Sequence, residues 1–187
     1  MKVEEAIQFV QMQLPEERFK HTLRVAEEAV RLAKVYGSDP YQAELAAIFH
    51  DVAKNRPLAE MKRVILQSPL PKDLLQYHHE LWHGPVGAII VERDLGITDS
   101  EILHAIRFHT TGRAHMSQLE MIIFVADYIE PGRQFPGIDE VRQAAGKDLR
   151  YAAYLATRNT IQHLTRQQAK IYPDTFYAYN DLVDKLT

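Results

Sequence analysis

An all-α fold follows from three features of the sequence. Apolar residues recur at helical spacing along most of the chain, few stretches alternate apolar with polar, and capping residues stand ahead of several apolar runs. The 187 residues, 46% hydrophobic and 25% charged, suffice for one real core, so a single helical domain over residues 1–187 is expected.

The elements follow in order. Residues 3 to 13 are amphipathic and stop before Pro15. A longer pattern runs from Glu16 through Phe19, Leu23, Ala26, Val30 and Ala33 to Gly37, which reads as a helix stop. Asp39, Pro40 and Gln42 read as N-cap, first helical residue and capping-box partner, so the apolar run behind them forms a third helix ending in His50 and Asp51. After the break at Pro57 comes a helix near residues 58 to 67, then a proline-punctuated stretch, PLPKDLLQYHHE. In WHGPVGAIIVERDLG, Pro85 can begin a helix and Gly96 can end it, which puts His83 just before the start. Thr98 with Glu101, and Ser117 with Glu120, read as two further capping boxes. The first opens a helix to about His109, the second opens MIIFVADYIE, and the loop TTGRAHM separates them. PGRQFPG is a rigid loop, shorter helical stretches follow, and the long DLRYAAYLATRNTIQHL leads through the break KIYPD to a last helix from about Asp174. The runs GAIIV and MIIFV are short enough to pass for buried strands, but their longer, capped contexts favour helix. No repeat, low-complexity tract or linker interrupts the pattern.

Composition removes several classes of function. With no cysteine there is no disulfide framework, thiolate metal site or cysteine nucleophile, and any metal must rest on His, Asp or Glu. A net charge of −3, from 22 Lys+Arg against 25 Asp+Glu, leaves no general basic surface for a nucleic-acid backbone, so no nucleic-acid partner is expected. MKVEEAIQFVQMQ carries acids inside its apolar pattern, so neither a signal peptide nor a membrane span is expected, and the reading is a cytoplasmic protein with no membrane partner.

Nine histidines are many for this length, and their positions are informative. His50-Asp51 closes an apolar helix, where a strongly hydrated pair is costly unless a partner or an ion satisfies it. Alone, the doublet reads first as His50 capping a helix end and Asp51 accepting backbone hydrogen bonds. His21 lies among Arg18, Thr22 and apolar positions, and by itself is an ordinary half-buried histidine. Asp127 is sharper, because a carboxylate inside MIIFVADYIE needs a cation or several donors. His83 and His109 sit at helix ends beside or near glycine, where side chains can turn toward a cleft. Together these residues are hard to explain as unrelated accidents. His78, His79, His104, His115 and His163 read as ordinary histidines, Trp82 as core, and Phe176, Tyr177 and Tyr179 as a packed helix face. Arg18 and Arg113 are possible rim contacts without an assigned role.

The ordered set of His21-Thr22, His50-Asp51 with Ala53 and Lys54, His83-Gly84, His109 to Arg113, and Ala126 to Gly137 resembles the HD-domain phosphohydrolases. More narrowly it is similar to the bacterial YqeK-type subgroup, described as symmetrical diadenosine tetraphosphate hydrolases, and the likeness covers nearly the whole chain. The resemblance implies a helical bundle with metal ligands at His21, His50, Asp51 and Asp127, and with His83 and His109 facing a second metal or the substrate phosphates. It implies phosphate contacts from Lys54 and Arg133, a neutral donor at Thr110, and a catalytic group of Asp51, Lys54, His83 and His109. It brings in the segment Lys170 to Thr175 as substrate contacts, which reads equally well as a plain break and N-cap. A sulfur-free set of imidazoles and carboxylates suits a six-coordinate first-row ion. The resemblance points to iron, ligand types alone leave manganese or another divalent ion open, and one or two ions are expected. The implied reaction is cleavage of diadenosine tetraphosphate to two ADP by a metal-activated water, in a homodimer. Two alternatives stay open: an HD-domain hydrolase of a nucleotide mono- or triphosphate or an alarmone, and a nucleotide-binding sensor without turnover.

Overall fold

The structure is a computed structural model that describes residues 1–186, so the last residue of the expected domain, Thr187, lies outside the described residues. The described residues form ten α-helices and no strand: α1 (Val3–Gln11), α2 (Glu16–Tyr36), α3 (Pro40–Phe49), α4 (Leu58–Gln67), α5 (His83–Leu95), α6 (Ser100–Phe108), α7 (Gln118–Ile129), α8 (Ile138–Ala145), α9 (Leu149–Arg166) and α10 (Pro173–Asp184). Short 3₁₀ turns at Lys72–Gln76 and His79–Leu81 bridge α4 to α5. Both GAIIV and MIIFV are helical, within α5 and α7. No helix among the described residues is long and apolar enough to cross a membrane.

At the centre is α7, which is buried nearly all round from Leu119 to Ala126. A helix apolar on every side is stable only when neighbours cover it. Here α2, α3, α6, α8 and α9 do so, and α5 reaches it through α6. A smaller cluster of Met61, Ile65, Leu70, Leu74, Val86, Ile90 and Tyr172 sits under the 3₁₀ turns, with Trp82 packed against it and donating Nε1–H to the Leu74 carbonyl at 3.0 Å.

The helix starts show where local sequence rules are overridden. Ser117 and Glu120 form the expected capping box, with Ser117 N–H donating to Glu120 Oε2 at 2.6 Å. Asp39 caps α3 by accepting from Tyr41 N–H at 2.8 Å, but Gln42 does not complete a box. Its amide Nε2 instead donates to Asp99 Oδ2 at 2.8 Å. Asp99, not Thr98, is in turn the N-cap of α6, its Oδ1 accepting from Glu101 and Ile102 N–H. One long-range hydrogen bond ties the two helix starts together and corrects both expectations. The start of α5 is also earlier than expected. It begins at His83 because the preceding 3₁₀ turn runs directly into it, and Pro85 fits within the first turn, where an N–H has no helical partner to lose. In α10 the buried stripe is Thr175, Ala178 and Leu182, which leaves Phe176 and Tyr177 outside it. They are 45% and 57% exposed rather than packed, and only Tyr179 finds a ring, Tyr154.

Gly84 decides how closely α5 approaches α6. A Cβ there would meet the Arg107 carbonyl oxygen at 2.9 Å and that of Ile106 at 3.2 Å. Backbone atoms cannot rotate away, so the helices would have to part. Gly84→Ala is therefore expected to destabilise by roughly 1–3 kcal/mol in urea unfolding, as overpacking does elsewhere. Gly146→Ala, whose Cβ would meet nothing nearer than the Gln143 oxygen at 3.8 Å, is expected to be neutral or stabilising by up to about 1 kcal/mol. Equal destabilisation by the two would show that the close helix approach is not the constraint.

Candidate metal centre

Five elements deliver polar groups to one dry point. His21 comes from α2, His50 and Asp51 from the turn that ends α3, His83 from the first residue of α5, His109 from the end of α6, and Asp127 from the last turns of α7. The four histidines and Asp51 are all buried. In three of them the ring folds back on the carbonyl three residues earlier. Nδ1 lies 2.6 Å from the Ala47 oxygen in His50, 2.6 Å from the Glu80 oxygen in His83, and 2.7 Å from the Ile106 oxygen in His109. A carbonyl can only accept, so the hydrogen-bond network assigns the proton to Nδ1 and leaves Nε2 of the neutral ring with a lone pair. His21 is set in the same sense by the Glu130 carboxylate, 3.1 Å from its Nδ1. This outer bond is the device by which proteins aim imidazole at a metal.

The four Nε2 atoms point at the two carboxylates. Asp51 Oδ1 is 3.1 Å from His83 Nε2 and 3.8 Å from His109 Nε2, while its Oδ2 is 3.4 Å from His50 Nε2 and 3.7 Å from His21 Nε2. Asp127 Oδ1 is 3.1 Å from His21 Nε2 and 3.9 Å from His50 Nε2. His83 and His109 bring their Nε2 atoms to 2.9 Å of each other, with Thr110 Oγ1 3.0 Å from that of His109. Lone pairs facing across that gap repel, and the Nε2 atoms of His21 and His50 are buried without a hydrogen-bond partner. A divalent cation resolves both problems at once. His21, His50 and Asp127 form one set that could hold an ion, and His50, Asp51 and His109 another. The donor chemistry, nitrogen and oxygen without sulfur, fits a first-row divalent ion.

The electrostatics show two carboxylates short of positive charge. Burial pushes the His109 pKa down to about 3, so that ring is neutral and able to ligate, whereas Asp51 and Asp127 draw His50 above its ordinary value against the effect of burial. Burial would raise Asp51 and Asp127, yet both are held below the ordinary range, Asp51 by His50 and His83 and Asp127 by Arg133, His21 and His50.

The other expected residues fall into two groups. Lys54, Thr110 and Arg133 line the cleft of about 260 Å³ beside the cluster, together with Arg18, Tyr128 and Thr160. Lys54 pairs with Glu80, and Arg133 is held by Asp127, Nη2 to Oδ1 2.6 Å, rather than standing free for phosphate. Lys170 and Thr175 do not line the cleft. Lys170 donates to the Gln76 carbonyl at 3.1 Å over the Tyr77 ring, and Thr175 is buried in the first turn of α10. The segment leads into α10 through Tyr172 at the N-cap position, with no side-chain cap hydrogen bond.

The sequence reading left one residue at the site without a role, Arg18, and missed another, Glu130. Arg18 Nη1 donates to Asp51 Oδ2 at 2.9 Å. Glu130 receives His21, Arg24 and the Gly132 N–H. The signal was spacing: Arg18 precedes His21, and Glu130 follows Asp127, by one helical turn, so each shares a face with a ligand candidate. Arg113 is structural, its guanidinium gripping the buried Glu120 at 2.6 and 2.8 Å.

Glu130 gives a pH test. Burial alone would raise its carboxyl, but the hydrogen bonds from Arg24, His21 and Gly132 prevail and bring its pKa from 4.5 down to about 2. A depressed folded-state pKa contributes stability that is complete above the unfolded value and fades as pH falls toward the folded one. Metal-free wild-type protein should exceed Glu130→Gln by about 2–3 kcal/mol near neutrality, with the gap closing as pH is lowered from about 5 toward about 2. A gap independent of pH would mean the carboxylate charge is not what holds the site.

The HD domain family model matches residues 18–132, the span that contains every ligand candidate. The chain is 50% identical over 98% of both chains to the symmetrical bis(5'-nucleosyl)-tetraphosphatase of Bacillus subtilis (strain 168). It is 51% identical, over 95% of both chains, to the protein of the same name from Halalkalibacterium halodurans. Its fold overlays the crystal structure of a predicted HD superfamily hydrolase involved in NAD metabolism from Clostridium acetobutylicum with a TM-score of 0.93 at 37% identity, covering 99% of this chain and 98% of that one. Motif order, buried ligand geometry, sequence and fold agree: this chain belongs to the HD-domain family.

Proposed function

We propose that this chain hydrolyses diadenosine tetraphosphate symmetrically, releasing two ADP, with residues 1–187 acting as one catalytic unit. The observation that carries the reading is half-identity along 98% of both chains with a symmetrical tetraphosphatase. The geometry supports it with a buried donor set that needs a divalent cation and a cleft lined by Lys54, Arg18 and Arg133 beside it.

His21, His50, Asp51 and Asp127 hold the ion, and His83 and His109 face a second ion or the phosphates. Iron is the proposed ion and manganese the alternative. Bound there, a divalent ion supplies Lewis acidity toward phosphoryl oxygens and a water of lowered pKa. The protein's own groups do the remaining work. Lys54, released from Glu80, meets the growing negative charge on phosphoryl oxygens, and Thr110 adds a neutral donor. Arg133 keeps Asp127 oriented and turns its other donors to phosphate. If these fixed donors hold one nucleoside diphosphate half, the cut falls on the bridge between the second and third phosphates, and both products are diphosphates. A homodimer and a cytoplasmic address complete the proposal, the first open to a sedimentation measurement.

His50→Ala or Asp51→Ala should lose bound metal and nearly all hydrolysis while staying helical by circular dichroism. Full metal content with near-native turnover in either would sink the ligand assignment. Lys54→Ala should keep the metal and lose on the order of 2–4 kcal/mol of transition-state stabilisation, read as kcat/KM. Wild-type enzyme in labelled water should give ADP alone with one new oxygen per cleavage, and AMP plus ATP as main products would refute the symmetrical cut.

A further inference from the structure

Arg18, Lys54 and Arg133 line the metal cleft, and each is paired with a carboxylate. Asp51 holds Arg18 and Asp127 holds Arg133, but Lys54 pairs with Glu80, which is not a ligand candidate. Lys54 and His83 also line a side cavity of about 200 Å³ next to the cleft, and Glu80 lines only that cavity. The carboxylate therefore draws the ammonium toward the side cavity and away from the place of the phosphates.

Both partners start from fixed backbone. Lys54 N–H donates to the Asp51 carbonyl at 2.8 Å, which sets the lysine one turn past a ligand candidate, and most of its side chain is covered. Glu80 stands in the 3₁₀ turn ahead of α5, and its own carbonyl receives His83 Nδ1–H at 2.6 Å. Leu81 N–H to the His78 carbonyl and Trp82 Nε1–H to the Leu74 carbonyl, both at 3.0 Å, tie the same turn down. The Glu80 backbone thus stays in place when the lysine swings, and a phosphate in the cleft must compete with its carboxylate for the ammonium. A contact made equally to the bound ligand and the transition state only deepens the ground state, and a diphosphate product held too tightly leaves slowly.

We propose that Glu80 is a positioning residue that acts through Lys54: it competes with phosphate for the ammonium, so substrate and diphosphate product both bind against the cost of separating the pair, and product leaves more readily. The inference rests on the tetraphosphatase reading, which it deepens by naming the residue that limits product affinity. Glu80 itself touches neither ion nor phosphate.

The test measures ADP binding by titration calorimetry on the manganese-loaded protein, in wild type, Glu80→Gln, Lys54→Ala and the double variant. Glu80→Gln should bind ADP at least about threefold more tightly than wild type, about 0.7 kcal/mol, which is within the worth of a half-exposed ion pair. In the Lys54→Ala background the same substitution should leave ADP affinity unchanged within about 1.5-fold. In turnover, Glu80→Gln should lower KM without raising kcat. A smaller gain in ADP affinity, a loss, a KM that does not fall or a kcat that rises would overturn the proposal. So would a gain that survives Lys54→Ala, since it would reflect only one negative charge fewer near the cleft. Should Glu80→Gln fail to fold, Glu80→Ala, which keeps the carbonyl that orients His83, decides in its place. The two readings fail separately: wild type that does not cleave diadenosine tetraphosphate refutes the activity, whereas the calorimetric cycle decides for or against Glu80 without any turnover.

Discussion

The structure is organised around one electrostatic constraint: four buried imidazoles and two carboxylates meet at the floor of one cleft. Each Nδ1 is spoken for by a carbonyl or by Glu130, so no histidine can turn its lone pair away without abandoning an outer hydrogen bond. Such a cluster persists in a folded chain only if a cation completes it or if protons are drawn in with the loss of a ligand. The scaffold's task is to hold the cluster in place until a cation arrives.

Packing shows how it does so. His50, Asp51, His83 and His109 stand at helix ends, where a side chain can turn across the bundle, while His21 and Asp127 project from within α2 and α7. The glycine beside His83 lets two helix ends approach until their histidines share one gap. Asp127 is carried by the most deeply covered helix, so its position is fixed by a core that includes Ile122, Ile123 and Val125 rather than by a loop. A site on such rigid supports loses little geometry to thermal motion, which is what positioning catalysis demands.

The sequence made the donor set legible because a strongly hydrated residue in an apolar helix is costly to bury without a partner or an ion. His50-Asp51 and Asp127 stood out against Ala46, Ile48, Phe124 and Val125, and the Ser117–Glu120 box fixed where the Asp127 helix begins. Less legible was anything decided by contacts remote in the chain. The Gln42–Asp99 bond spans two helix starts that local capping rules treat separately. Arg133 was read as a phosphate contact, and no local rule reveals that Asp127 also holds it. Lys170 shows the converse: a cation next to a suggestive break is placed by the Gln76 carbonyl and the Tyr77 ring, which the linear pattern cannot bring near.

The pairing of cations in the cleft follows one rule. Arg18 is held by Asp51, Arg133 by Asp127 and Lys54 by Glu80, so positive groups beside the ligands are matched to carboxylates before any phosphate arrives. Arg18 and Arg133 hold the proposed ligands themselves, and turning either wholly to phosphate would loosen the aim of a carboxylate. Lys54 is different. Its partner Glu80 is 52% exposed and can take up water at little cost, so Lys54 is the cation that can change partners without disturbing the donor set. Exposure therefore separates the pairs: the carboxylates that hold the arginines are largely enclosed and the one that holds Lys54 faces solvent, so in the proposed reaction the lysine is the cation left to meet developing charge.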